Sequence, residues 1–233
     1  MERRIAAIEW DRIESDIAEV GHALAGPLLD ADTCARLAAG YDDDALYRKR
    51  VDMDRHAFGS GEYAYFDEPL PAPVASLRER LYAGLAPIAA RMAESLGRGE
   101  RYPADLAAYR AVCARAGQTR PTPLVLRYTE GGYNRLHRDL YGDLIFPLQV
   151  TIMLGRPGRD FGGGEFLLVE NRPRQQSIGA AVHLEQGQAV IFPVAERPVE
   201  GKRGMARAQV RHGVSRVTRG TRVTLGIIFH DAE

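Results

Sequence analysis

Two histidines and one aspartate are spaced along this chain in a way that could bind a metal ion. His137 and Asp139 stand two residues apart in YTEGGYNRLHRD (128–139), and His212 follows 75 residues after His137. Residues i and i+2 of an extended strand, or of its immediate exit, point to the same side, so His137 and Asp139 can reach one ion. Two imidazoles and one carboxylate form the facial ligand set of non-haem Fe(II), with three positions left open. Asp143 is the rival carboxylate, four residues beyond Asp139.

A basic residue is placed where it could bind a second reactant beside this ion. Arg222 comes ten residues after His212 and begins a segment, 222–229, whose apolar residues predict a buried strand. A guanidinium binds a carboxylate through two parallel hydrogen bonds, so Arg222 would suit a dicarboxylate co-substrate. Arg216 and Arg219 are the nearest alternatives for this role.

Short strands would have to bring these distant residues together. From residue 123 the sequence consists of short apolar runs separated by glycine and proline, a pattern typical of a sandwich or barrel. The predicted strands are 124–128, 149–154, 165–169, 189–192, 209–212 and 222–229. Between two of them, RPGRDFGGG (156–164) is predicted to be a flexible loop, and its last three glycines, before Glu165, predict a tight passage of the backbone into a strand.

The first half of the chain has a different pattern. Apolar residues at helical spacing predict helices, and two further runs predict a β-hairpin closed by Gly59-Ser60-Gly61. The predicted helices are 3–18, 34–41, 74–96 and 103–116, and the hairpin strands are 47–58 and 61–66. Pro87 is expected to divide or kink the third helix. The fold class expected is therefore mainly β with flanking helices.

These residues resemble the Fe(II)/2-oxoglutarate dioxygenase superfamily, whose core is a double-stranded β-helix of the jelly-roll type. The ten-residue spacing from His212 to Arg222 is similar to that in the prolyl-hydroxylase branch. The nine-residue spacing from Tyr128 to His137 is similar to that in the alkylation-repair demethylases. A closer resemblance, to an uncharacterised bacterial family proposed to act on damaged nucleic acid, covers nearly the whole chain. It lies in the runs GQTRPTPLVLRY, HRDLYGDLIFPLQV, GGEFLLVENRPRQQS and RHGVSRVTRGTRVTLGIIFHDA.

The resemblance implies cofactors and roles for particular residues. The Fe(II) ligands would be His137, Asp139 and His212. Arg222 would bind the far carboxylate of 2-oxoglutarate, with the Tyr128 hydroxyl beside it, and Thr151 is a candidate to support the co-substrate. O2 would be the oxidant, and succinate and CO2 would be released. One domain is expected over 1–233, with a helix-rich support over 1–120 and the catalytic double-stranded β-helix over 121–233.

Two classes of substrate remain open from the sequence. One is an alkylated nucleic-acid base; the other is a small metabolite, a free amino acid or a protein side chain. Basic and acidic residues both total 31, but residues 121–233 carry 15 basic and 11 acidic side chains, a balance of +4 that is compatible with an anionic substrate. The candidate phosphate contacts are Arg48, Arg50, Arg55, Arg172, Arg174, Lys202 and Arg203.

The composition also bears on where the protein acts. Charges interrupt the first 14 residues, MERRIAAIEWDRIE, which is unlike a signal peptide, and no apolar run is long enough to span a membrane. The two cysteines, Cys34 and Cys113, lie far apart and are expected to be reduced thiols. A cytoplasmic protein without a membrane partner is expected.

Overall fold

Two antiparallel sheets face each other in a computed structural model, which describes residues 1–201 and 204–233. The helices are α1 (Glu2–Ala6), α2 (Trp10–Val20), α3 (Ala31–Ala39), α4 (Ala72–Ser95) and α5 (Leu106–Arg115). The strands are β1 (Ala23–Ala25), β2 (Tyr47–Asp52), β3 (Gly59–Ser60), β4 (Glu62–Phe66), β5 (Leu124–Tyr128), β6 (Tyr133–His137), β7 (Leu148–Met153), β8 (Phe161–Gly163), β9 (Phe166–Asn171), β10 (Ile178–Val182), β11 (Ala189–Pro193), β12 (Glu196–Gly201), β13 (Gly204–Val214), β14 (Val217–Gly220) and β15 (Arg222–Ile227).

The larger sheet has seven strands in the order β1-β11-β7-β15-β5-β4-β2. The smaller sheet has the order β10-β9-β13-β6-β3, with β12 paired to β13, and β14 pairs with β8 as a separate ribbon. Three strands of the larger sheet, β1, β2 and β4, come from the first 120 residues. The larger sheet is therefore built from both halves of the chain.

Strand β15 shows how the larger sheet separates two layers. Val223, Leu225 and Ile227 belong to the apolar core shared with the helices, against which α4 packs. Arg222 and Thr224 alternate with them and line a cavity on the other face of the sheet. This is the two-residue period of a strand, and both sets of residues are buried because both faces of the sheet are covered.

A second core fills the space between the two sheets. Phe192 from the larger sheet and Phe166 from the smaller one lie with ring centroids 4.8 Å apart, and Val210 and Val214 of β13 belong to the same cluster. His212 lies on β13 between these two valines, and its ring centroid is 4.8 Å from that of Phe192. The inter-sheet core thus fixes one of the predicted metal ligands.

The predicted mainly β class is confirmed, and the six strands predicted after residue 123 are all present. Five differ by at most two residues at each end, but the strand predicted over 209–212 is part of the longer β13, which begins at Gly204. The helix predicted over 3–18 is instead two helices, α1 and α2, interrupted after Ala6. Helix α4 runs without a break through Pro87, so that proline does not divide it. Strands β2 and β4 pair as predicted, but β2 ends at Asp52 instead of continuing to residue 58. Gly59 and Ser60, predicted as part of the closing turn, form β3, which joins the other sheet through β6.

Among the helices of the described residues, none combines the length and the apolar character needed to span a bilayer. Cys34 and Cys113 are both buried and are not joined by a disulfide.

Candidate metal centre and co-substrate site

His137, Asp139 and His212 converge at one point between the sheets. His137 ends β6, Asp139 lies two residues beyond it, and His212 on β13 is paired in register with His137. Nε2 of His137 is 3.4 Å from Oδ1 of Asp139, and Nε2 of His212 is 3.3 Å from Oδ2. One possible ligand atom from each residue lies within 4.8 Å of the other two. This geometry allows all three to bind one metal ion, whereas Asp143 is exposed and outside the group.

The two histidines differ in their surroundings. Nδ1 of His137 is 2.7 Å from the Arg135 carbonyl oxygen, which can only accept, so a metal ion would replace the proton that Nε2 shares with Asp139. Burial lowers the pKa of His137, but hydrogen bonding to Asp139 and the charge of that carboxylate outweigh it, so the pKa is raised. For His212, burial dominates and lowers the pKa. The His212 imidazole is therefore held neutral, the form that binds a metal.

Asp139 is oriented by two further side chains. The Tyr141 hydroxyl donates to Oδ1 at 2.9 Å, and Nε2 of Gln149 donates to Oδ2 at 2.9 Å. The Tyr65 hydroxyl in turn donates to the Tyr141 oxygen at 3.0 Å. Burial raises the pKa of Asp139, but hydrogen bonds from the two histidines outweigh it and hold that pKa well below its usual value. The carboxylate is thus ionised and held in one orientation.

Replacing Tyr141 with phenylalanine is expected to weaken metal binding about 10- to 100-fold, the usual range for loss of a partner that orients a metal ligand. The ring would remain in place, and the hydroxyl would be lost with its two hydrogen bonds, the one donated to Asp139 and the one accepted from Tyr65. Titration with Mn(II) under anaerobic conditions measures the affinity. Tyr133→Phe is the matched control, because Tyr133 does not line the cavity, and an unchanged affinity in Tyr141→Phe would show that Asp139 does not need this support.

Arg222 is a buried cation that forms no ion pair with another described residue. It is 0% exposed; its Nε donates to the Gly164 carbonyl oxygen at 2.7 Å and its Nη1 to Oγ1 of Thr224 at 3.3 Å. Nη2 has no hydrogen-bond partner among the described residues. Burial lowers the pKa of Arg222 to about 10, so the group is still a cation at neutral pH. A buried cation of this kind requires an anionic partner, which the cavity could admit.

Gly164 makes room for this arginine. Its φ is +66°, and a Cβ placed there would lie 2.7 Å from Cδ of Arg222. The tight backbone passage predicted from the glycines of 156–164 is therefore present, and it serves Arg222. The sequence did not identify Gly164 or Thr224 as a partner of Arg222. The two-residue period of a strand does, however, place Thr224 on the same face as Arg222.

Tyr128 and Thr151 line the same cavity as Arg222. Tyr128 is paired in register with Arg222, and its buried hydroxyl has no hydrogen-bond partner among the described residues. Thr151 is buried on β7, two residues from Gln149 and on the same face of the sheet. Both residues are therefore placed where a molecule bound to Arg222 could contact them.

The alternative arginines lie elsewhere. Arg216 is exposed and donates to the Gly131 carbonyl oxygen at 2.6 Å, and Arg219 is exposed and donates to the Gly158 carbonyl oxygen. Neither lines the cavity. Of the three arginines, Arg222 alone faces the candidate metal centre.

The cavity that joins these groups has a volume of about 570 Å³. Its lining includes the three candidate metal ligands and the buried residues Arg222, Tyr128 and Thr151. It also includes five basic residues that are exposed or half-buried, named the basic rim here: Arg48, Lys49, Arg120, Arg135 and Arg138. Apart from Asp139, Glu233 is the acidic side chain among the described lining residues. The opening is thus positively charged.

Among the described residues, one of the predicted phosphate contacts belongs to the basic rim. Arg48 lines the cavity, with its guanidinium 4.7 Å from the centre of the Tyr65 ring. Three others do not line it and form ion pairs, namely Arg50 with Asp44, Arg55 with Asp52 and Arg172 with Glu170. Arg174 also lies outside the cavity, and Lys202 and Arg203 lie outside the described residues.

Comparison with known proteins adds a family. A family model described as an oxygenase, catalysing oxidative methylation of damaged DNA, matches residues 61–232. Two uncharacterised proteins of Mycobacterium tuberculosis are 48% identical over 167 residues, which are 72% of this chain and 72% of each relative.

Solved structures share the fold at low sequence identity. A prolyl-4-hydroxylase of Pseudomonas putida has a TM-score of 0.55 at 15% identity, with 96% of this chain and 99% of that one covered. An oxidoreductase of the 2OG-Fe(II) oxygenase family from Burkholderia pseudomallei has a TM-score of 0.55 at 16% identity, with 97% and 92% covered. The α-ketoglutarate-dependent epimerase SnoN of nogalamycin biosynthesis has a TM-score of 0.59 at 13% identity, with 95% and 80% covered. The two facing sheets are thus the double-stranded β-helix that we expected, and the chain belongs to the oxygenase family whose model it matches over residues 61–232.

Proposed function

We propose that the protein is an Fe(II)- and 2-oxoglutarate-dependent dioxygenase that oxidatively removes alkyl groups from damaged nucleic-acid bases. The observation that carries the proposal is the buried guanidinium of Arg222, whose Nη2 has no partner among the described residues. It lines the same cavity as two histidines and one carboxylate. A redox metal and a dicarboxylate co-substrate are the two ligands that this combination fits.

The donor set fits the metal. His137, Asp139 and His212 would hold Fe(II), for which two imidazoles and one carboxylate are a suitable ligand set. Arg222 would bind the far carboxylate of 2-oxoglutarate, and the Tyr128 hydroxyl would donate to the same group. Thr151 would contact the co-substrate from β7.

Fe(II) and 2-oxoglutarate, when bound, supply an oxidant from O2 that hydroxylates a C–H bond and release succinate and CO2. The chain's own residues bind and orient these groups. Tyr141 and Gln149 hold Asp139 in one orientation, and Arg222 holds the co-substrate in one direction. Phe166 and Phe192 pack beside His212 and would limit the access of water to that side of the site.

The substrate class is supported by the shape and charge of the opening. A volume of about 570 Å³ is in the range of small-molecule sites and is large enough for one base. A base that reacts inside a pocket must leave its stack, and the basic rim would bind the phosphates beside it. Hydroxylation of an N-alkyl carbon leaves an unstable product that releases an aldehyde and the unmodified base. The family description, which names damaged DNA, agrees with this choice.

An assay of succinate and aldehyde release tests the proposal. Purified protein with Fe(II), 2-oxoglutarate and O2 is given single-stranded oligonucleotides that contain methylated bases, undamaged oligonucleotides of the same sequence, and a panel of amino acids and other metabolites. Succinate and formaldehyde are expected with methylated oligonucleotides alone. Substrate-dependent succinate with a metabolite, and none with any oligonucleotide, would instead assign the protein as a small-molecule hydroxylase.

A further inference from the structure

Three large apolar side chains are exposed around the cavity opening. Phe58 is 48% exposed, Leu136 41% and Leu140 51%, and all three line the cavity. Seven large apolar side chains are exposed among the described residues, and the other four do not line it. The three residues, named the apolar ledge here, therefore form a concentration of exposed apolar surface beside the basic rim, which indicates a binding surface.

The backbone fixes Phe58 in its exposed position. Its N–H donates to the Met53 carbonyl oxygen at 3.1 Å, and its carbonyl oxygen accepts from the Arg135 N–H at 2.9 Å. The preceding residue, Ala57, has φ +56°, a left-handed conformation that is unfavourable for a residue with a Cβ. The His56 ring stacks on Phe58 with centroids 5.3 Å apart. Strain of this kind persists where surrounding contacts impose it and is often found at ligand sites.

The ledge and the rim alternate along one short segment of chain. Arg135 and Leu136 are adjacent on β6, and Arg138 and Leu140 follow in the loop after it. Nη2 of Arg138 donates to Oε1 of Gln209 at 2.9 Å, a bond that leaves its charge unneutralised. Cations and apolar surface at such close spacing match a polymer whose charged groups and flat apolar groups also alternate.

We infer that the apolar ledge stacks a nucleobase next to the one in the cavity, while Arg135 and Arg138 bind the adjoining phosphates, so that the ligand is a single strand. This rests on the proposed function. Both faces of a base are covered by its neighbours in a duplex, whereas a single strand can offer a free face to an aromatic ring. Stacking of a base on an aromatic side chain is independent of sequence. An acidic peptide would complement the charge of the basic rim, but its acidic side chains would not stack on the apolar ledge.

Binding of undamaged fluorescent oligonucleotides, without Fe(II) or 2-oxoglutarate, tests the inference by anisotropy. Phe58→Ala is expected to weaken single-strand binding roughly fivefold to a hundredfold, and Phe58→Tyr to retain it. Ile178→Ala, at an equally exposed apolar residue outside the cavity (56%), is the matched control and should bind like the unchanged protein. A duplex of the same sequence should bind more weakly than the single strand.

Salt dependence separates stacking from charge. Arg135→Gln should reduce the slope of log affinity against log salt by about one unit, and Phe58→Ala should leave that slope unchanged. Phe58→Trp adds an indole to the ledge, and its fluorescence should be quenched by a single strand but not by polyglutamate.

The outcomes distinguish this inference from the proposed function. If Phe58→Ala binds the single strand as tightly as the unchanged protein does, or if the duplex binds more tightly than the single strand, the inference about the apolar ledge is overturned. The proposed oxidation of bases would not be affected by either result. Tight binding of polyglutamate would indicate that the basic rim binds acidic peptides, and it would also overturn the inference about the apolar ledge. No binding of any oligonucleotide at low salt would reject nucleic acid as the substrate, and the ledge inference with it.

Discussion

Replacing His212 with alanine is expected to abolish turnover and to reduce Fe(II) affinity by more than the roughly 10- to 100-fold typical of losing an outer-shell partner. Two protein ligands would remain, and Asp139 would lose the neighbour whose Nε2 is 3.3 Å from its Oδ2. The same loss is expected for His137→Ala. Anaerobic titration with Fe(II) measures affinity, and succinate release measures turnover.

His183 provides the matched control for these variants. It is exposed and lies outside the cavity, so His183→Ala should bind Fe(II) like the unchanged protein. His212 is buried beside Phe166 and Phe192, and its removal leaves a space in the inter-sheet core. His137 is more exposed, so His137→Ala separates loss of the metal from loss of the fold. Full turnover in a folded His137→Ala would exclude this metal centre.

The two-residue period of a strand explains why the main site residues could be predicted from the sequence. His137 and Asp139 face one point because they leave the same strand two residues apart, and Arg222 faces the cavity because Val223 and Leu225 face the helices. Each of these inferences needs only local geometry and the chemistry of the side chain.

The support of the site could not be predicted in this way. Gln149 reaches Asp139 from β7 in the opposite sheet, a contact that no local spacing encodes. Tyr141 is only two residues from Asp139, but both lie in a loop without the regular period of a strand, so the sequence did not predict this contact. Arginines are frequent in this chain, and tertiary structure decides which of them meet the opening. The sequence therefore did not identify Arg120, Arg135 or Arg138 as phosphate contacts. Arg50 and Arg55, which were predicted as phosphate contacts, lie outside the cavity.

Strand β12 was not predicted, because one of its buried positions is occupied by a polar residue. Its inward positions include Arg197, which is buried and bonded to Glu170 at 2.6 Å, so the alternation of apolar and polar residues is lost. Strand β3 is only two residues long, too short to show any period. The pairing of β2 with β4 around it was predicted, but the turn predicted at Gly59-Ser60-Gly61 is wrong, because Gly59 and Ser60 form β3, whose place in the other sheet depends on pairing with β6.

Arg222→Ala is expected to raise the concentration of 2-oxoglutarate required for activity about tenfold to a hundredfold, with a much smaller effect on the requirement for substrate. A charge-assisted hydrogen bond is worth about 1.5–3 kcal/mol, and a bidentate pair in a shielded cavity is at the upper end. Calorimetric titration of 2-oxoglutarate into the Fe(II)-loaded protein without O2 measures the effect on binding directly, before any substrate is known.

Arg219→Ala is the matched control, because Arg219 is exposed and lies outside the cavity, so its loss should leave 2-oxoglutarate binding unchanged. Arg222→Lys should recover only part of the affinity, since an ammonium group cannot form the two parallel bonds of a guanidinium. If Arg222→Ala binds 2-oxoglutarate like the unchanged protein, the far carboxylate is held elsewhere. In that case the Arg222 guanidinium would bind the substrate rather than the co-substrate. Among the described residues, its Nε donates to Gly164 and its Nη1 to Thr224.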